Sequence, residues 1–142
     1  MGEGRRGKFN KLLEKGDEMD ARTQELLDRT FEFGVRILKI LPAFPSNDSF
    51  RVVKHQLAKS STSIGANYEE AQAAESKDDF VHKVGISLKE TRESHYWLRV
   101  LRALTTAPDQ QKVMDTFIAE AAEFRSIFSS IRISAIKNKR RN

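Results

Sequence analysis

Between Phe50 and Ser76 the apolar residues fall at Phe50, Val53, Leu57, Ile64, Tyr68 and Ala71. Steps of three, four and seven place them on one side of a helix. Ser60 and Ser61 interrupt that stripe, and Asn67 stands beside Tyr68. Small residues let a neighbouring helix come close, and a buried amide must find partners or cost about 1–3 kcal/mol. The pattern predicts a helix, about 49–75, packed on more than one side.

Three further stretches carry the same period. From about Asp20 to Leu41, one stripe is Leu27, Phe31, Gly34, Leu38 and Leu41, and an adjoining one is Leu26, Phe33, Ile37 and Ile40. So wide an apolar sector suggests more than one neighbouring helix. Asp20 is a plausible N-cap, and Pro42 and Pro45 end the helix. A helix at 77–104 follows Ser76-Lys77-Asp78-Asp79, which reads as a variant capping box. One of its faces carries Phe80, Val84, Leu88, Thr91, His95 and Leu98. Ile86, Trp97, Val100 and Leu104 make another, either a second intramolecular contact or an oligomer surface. The last helix, 108–136, opens on Pro108 and carries Val113, Phe117, Ala121, Phe124, Phe128, Ile131 and Ala135 on one side. Four such helices on short connections predict an all-α, antiparallel, up-down-up-down four-helix bundle over residues 20–137.

The ends differ from this body. Residues 1–19 read as a flexible basic leader, because Gly2, Gly4, Gly7 and Gly16 disfavour helix while Arg5, Arg6, Lys8 and Lys11 repel one another. Residues 138–142 read as a basic tail. The net charge is +5, yet of the 25 bases six lie after residue 124 with no acid among them, leaving 19 bases against 20 acids before that point. The basicity therefore belongs to the end of the chain. There it can complement a helix dipole or seek phosphate.

No cysteine occurs among the 142 residues, which suits a reducing, cytoplasmic setting without thiolate metal sites. No apolar run approaches the roughly 20 residues of a membrane span. A carboxylate-bridged metal bundle needs Glu-x-x-His on two helices, and only Asp79-Phe80-Val81-His82 comes near, with His55 and His95 otherwise unmatched by spacing. Neither a nucleophile elbow nor a phosphate-cradling glycine loop is present. The expectation is a non-enzymatic protein with no cofactor and no metal.

The run Ser63-Ile64-Gly65-Ala66-Asn67-Tyr68-Glu69-Glu70-Ala71 resembles the bacterial four-helix-bundle family related to proteins encoded in intervening sequences of 23S ribosomal RNA genes. The family pattern is Ser-Ile-(Pro/Gly)-Ala-Asn-x-x-Glu, matched at Ser63, Ile64, Ala66, Asn67 and Glu70. The likeness continues through Ser76, Lys77, Phe80, Ile86, Leu88, Glu93 and Leu98. Gly65 stands where many members have proline. The resemblance implies a homopentameric barrel without enzymatic activity. A similar bundle is the basic accessory protein of diversity-generating retroelements, thought to hold reverse transcriptase and RNA. This body, at about −1, departs from that strong basicity.

Asn67, Glu70 and Glu93 are candidates for a polar network that sets helix register. Candidate nucleic-acid contacts are the tail cations Arg132, Lys137, Lys139, Arg140 and Arg141, and a strip of Arg51, Lys54 and Lys59 near the start of the second helix. No aromatic interleaving with these bases is evident, so charge and shape would drive any binding. The candidate oligomer surface is Ile86, Trp97, Val100 and Leu104. Two functions remain open. One is a homo-oligomeric scaffold with RNA or an RNA-bound protein as partner. The other is a protein–protein adaptor or structural oligomer that binds no nucleic acid.

Overall fold

The computed structural model describes residues 2–141, with side chains described at residue 7 and at residues 21–141. Its helices are α1 (Gly2–Ile40), α2 (Asp48–Gln72), α3 (Lys77–Leu104) and α4 (Pro108–Arg141), and no strand occurs among the described residues. The bounds of α1 take in the stretch expected as a leader. Apart from Gly7, the side chains of that stretch and of Asp20 lie outside the described residues. At the other end α4 continues through Lys137 to Arg141, so the tail cations ride on its last turns.

Local chemistry sets the helix ends. A single 3-10 turn, Leu41–Ala43, carries Pro42 and stops α1. The Asn47 side chain accepts the Phe50 N–H at 3.1 Å and starts α2. Ser76 Oγ accepts the Asp79 N–H at 3.0 Å, while the Asp79 carboxylate accepts the Glu75 N–H at 3.3 Å. That is a reciprocal cap, one residue displaced from the usual box.

Consecutive helices pack antiparallel: α1 on α2, α2 on α3, α3 on α4. The first two seams are tight because small residues line them. A Cβ on Gly65 would stand 3.1 Å from Thr30 Oγ1 and 3.3 Å from the Thr30 carbonyl carbon, and one on Gly34 would stand 3.3 Å from the Ser61 oxygen. Between α2 and α3, Ser94 Oγ donates to Ser60 Oγ at 3.0 Å and Ser87 Oγ donates to the Ile64 carbonyl at 3.0 Å, all buried. Thr30 returns its hydroxyl to the Leu26 carbonyl of its own helix at 2.9 Å. Every polar atom in these seams thus has a partner, as burial requires.

The α4–α1 closure differs. Phe33 meets Phe124 edge-on at 5.3 Å and Phe117 at 5.8 Å. Arg29 and Arg36 lie over the Phe124 and Phe117 rings, each 4.8 Å from the centroid, and pair with Glu123 and Glu120. Long side chains bridge a wider gap here, and Phe33, Ile37, Leu57, Ile64, Leu98, Met114, Phe124 and Phe128 fill the centre with no exposure.

The glycines give a direct test. At Gly85 a Cβ would meet only Arg132 Nε at an ordinary 3.5 Å, so Gly85→Ala should stabilise by about 0.5–1 kcal/mol through helix propensity. Gly65→Leu must push α1 off α2 and should cost about 1–3 kcal/mol. Urea denaturation of the two variants reads both signs; equal midpoints would rule out a close α1–α2 seam.

Candidate functional site

The surface has three features that could meet a partner. The first is a groove of about 510 Å³ between α1 and α2. Gly34, Gly65 and Ala66 form its floor, and Leu27, Phe31, Val35 and Leu38 form its α1 wall. Phe31 is 67% exposed and Leu38 46%. These are the outer stripe of α1. Close approach at Gly34 and Gly65 turns Leu26, Phe33 and Ile37 inward and leaves that stripe outside. Glu69 lines the groove on the α2 side.

On α3, the residues expected as an oligomer surface, Ile86, Trp97, Val100 and Leu104, do not form one fully exposed face in the single chain. Trp97 and Val100 are half-buried against the core, which makes them the second intramolecular contact that the spacing had left open. Ile86 is half-buried as well, and Leu104 is 39% exposed at the helix end. Among the described residues the most exposed large apolar side chain, Phe31, sits on α1 beside Leu38, at residues whose period was legible but whose exposure was not.

The expected polar network is not assembled. The Asn67 amide donates to the Ser63 carbonyl of its own helix at 2.8 Å. Glu70 takes Lys83 at 2.9 Å, which holds the Lys83 ammonium above its usual range. Glu93 stands near Glu90, whose carboxyl burial first and Glu93 second push up. Hydroxyls do the register work instead, at Ser60, Ser87 and Ser94. The signal was available: Ser87, Thr91 and Ser94 sit at spacings of four and three on the α3 face that also carries Val84 and Leu98.

The second feature is basic. Of the cations expected near the start of α2, Lys54 Nζ donates to the Phe44 carbonyl at 2.6 Å and Arg51 donates to the Ser46 carbonyl at 3.2 Å. Both tie down the α1–α2 connection, while Lys59 lies close enough to lower the Glu90 pKa. In the tail, Lys139 pairs with Asp78, and Lys137, Arg140 and Arg141 stay exposed. Arg132 lies over Gly85 on the α3–α4 seam. Farther along that seam, His95 is held below the usual imidazole range, by burial first and then by Arg125 and Arg99. Those two guanidinium groups were not among the expected contacts. They come together only when α3 and α4 are docked antiparallel.

The third feature is a cleft of about 650 Å³ among Arg22, Tyr68, Phe80 and Ile131. Burial raises the Tyr68 phenol, against hydrogen bonds with Thr23 and Gln72. It stays protonated at neutral pH, a donor facing a largely apolar cleft. No group of three His, Cys, Asp or Glu side chains is placed to hold a metal among the described residues. No described helix is long and apolar enough to cross a membrane.

The family model for the 23S rRNA-intervening sequence protein matches residues 22–130, the body of the bundle. The chain belongs to that family. A solved structure from Bacteroides thetaiotaomicron, described as a protein of unknown function from the S23 ribosomal protein family, is 32% identical. It superposes with a TM-score of 0.68 over 78% of this chain and 96% of its own. Among curated proteins none matches. The Ser63–Ala71 run lies within the matched residues, and its Ile64, Gly65, Tyr68 and Ala71 are buried.

The seam electrostatics predict a titration. Arg125→Gln removes one cation beside His95, so the His95 midpoint should rise towards its ordinary value, as followed by NMR. The folded imidazole binds its proton less tightly than the unfolded one. Stability is therefore kept above the unfolded value of about 6.5 and lost as pH falls from there through the folded value. Arg125→Gln should make that acid loss smaller. An unchanged midpoint would separate Arg125 from His95.

Proposed function

We propose that this member of the 23S rRNA-intervening sequence family is the subunit of a non-enzymatic homo-oligomeric scaffold, with RNA or an RNA-bound protein as its partner. The observation that carries the reading is the α1–α2 groove. Phe31 at 67% exposure beside Leu38 at 46% is apolar surface left in water, where covering each side chain would return about 1–2 kcal/mol, the exposed share of a full burial. A second copy of the chain is the occupant proposed. A five-membered ring is the state that the family resemblance implies. In a ring every subunit repeats the same contact, so one groove per chain is enough to define the assembly.

Support for an RNA-side partner comes from charge. The exposed cations on the last turns of α4 would be multiplied by the number of subunits, and counterion release makes such arrays bind phosphate with a steep salt dependence. Against this stands the adaptor reading, supported by Lys54, Arg51 and Lys139, which are engaged within the chain.

Light scattering at micromolar concentration should give a mass several times 16.2 kDa. Phe31→Glu should lower that mass while the helical circular dichroism stays. A wild-type mass of one chain sinks the scaffold. Binding of mixed-sequence RNA at about 50 and 200 mM salt separates the two readings, since the adaptor predicts none at either salt.

A further inference from the structure

Along the α3–α4 seam, Arg92, Arg99, Arg125 and Arg132 make no ion pair among the described residues. On α3, Lys89, Arg92, Tyr96 and Arg99 follow one another at spacings of three, four and three, all exposed. Across the seam α4 places Arg125 by His95, which Arg99 also flanks, and, two turns on, Arg132 over Gly85. From Gly85 to Arg99 the track is about 21 Å long. An ion pair closes each end, Arg102 with Asp115 and Lys139 with Asp78. Of the nearby acids, Glu120 and Glu123 turn to α1 and pair with Arg36 and Arg29, while Glu90 lies beside Glu93, Lys89 and Lys59 on the flank of α3 away from α4.

We propose that this seam is the binding track for single-stranded nucleic acid, with Arg92, Arg99, Arg125 and Arg132 taking phosphates and Tyr96 taking a base. It rests on the RNA reading above and names where that partner lies. Tyr96 is 53% exposed and stands between two arginines on one helical face. Its ring is steadied edge-on by Trp97, 5.0 Å away between centroids. Stacking on a ring and charge on both sides is the combination that holds single strands without reading their sequence. A protein surface of opposite charge would match the arginines and leave the tyrosine unused. Interleaving of bases with an aromatic was invisible along the chain, because helix pitch brings Arg92, Tyr96 and Arg99 together and the α4 cations arrive from 26 or more positions away.

The test uses the full chain and fluorescently labelled single-stranded RNA of mixed sequence, with mass and helical content measured in parallel. Arg92→Gln/Arg99→Gln/Arg125→Gln should weaken binding at least about tenfold at 50 mM salt. It should also flatten the salt slope by about 2, since each phosphate contact to a single strand contributes about 0.7. Tyr96→Ala should weaken binding about fivefold or more and leave the slope unchanged. Mass should stay at the wild-type value in both. Equal binding by the triple variant overturns the track while leaving the scaffold–RNA reading in place. A drop in mass overturns it too, since the seam would then be a contact between copies. If the intact protein binds no RNA at either salt, the RNA reading falls and the track falls with it.

Discussion

The close approach of α1 to α2 and of α2 to α3 is the constraint on which the rest depends. At Gly34 and Gly65 even a Cβ would crowd the facing helix, and Ser60, Ser87 and Ser94 are buried and hydrogen-bonded across the next seam. Close backbones gain dispersion contacts along the whole helix and bring hydroxyls within reach of the opposite helix. Each buried Ser then has a partner and adds direction to contacts that apolar packing alone would leave free to slide. The cost appears on α1. A helix with an apolar sector that broad cannot bury all of it when the glycine edge is the edge that docks. Phe33 and Ile37 go in; Phe31 and Leu38 stay out.

How much of this was legible depends on the range over which each feature is set. The helices and the all-α class follow from period alone, and the reciprocal cap at Ser76 and Asp79 from residues three apart. Helix phase was less secure: Val113 was read onto the buried side of α4, but it is 43% exposed and Met114 is buried instead. A stripe one residue wide can rotate by 100° between two readings, and only the facing helix decides. The face carrying Ile86, Trp97, Val100 and Leu104 depends on the facing helix in the same way. Spacing finds an apolar face without saying whether another helix of the same chain already covers it. Trp97 is large enough to reach the core from the edge of its helix, and it does.

Polar residues were harder still. Asn67, Glu70 and Glu93 attract notice because amides and carboxylates are costly to bury, yet the structure lets all three avoid full burial. Asn67 folds its amide back onto its own helix, and Glu70 stays at the surface with Lys83. The buried groups that cross the α2–α3 seam are serines, whose small side chains announce little in the sequence. Lys54 and Arg51 likewise read as a cationic strip until the connection they hold is in place. A carbonyl in a loop has no signature in the side-chain sequence, so a base spent on it cannot be told from one facing solvent.

The groove and the basic seam lie on opposite edges of the helix ring, one between α1 and α2, the other between α3 and α4. A head-to-tail ring could in principle press the seam of one copy into the groove of the next. Charge argues against it. The seam brings Lys89, Arg92, Arg99, Arg125 and Arg132, whereas the groove offers one carboxylate, Glu69, from its wall. Dehydrating five cations against one carboxylate would leave bases buried without partners, at several kcal/mol each. Phe31 and Leu38 would also meet guanidinium groups where they need apolar atoms. The contact that best satisfies the groove covers it with another apolar face, and the same contact keeps the arginines in water.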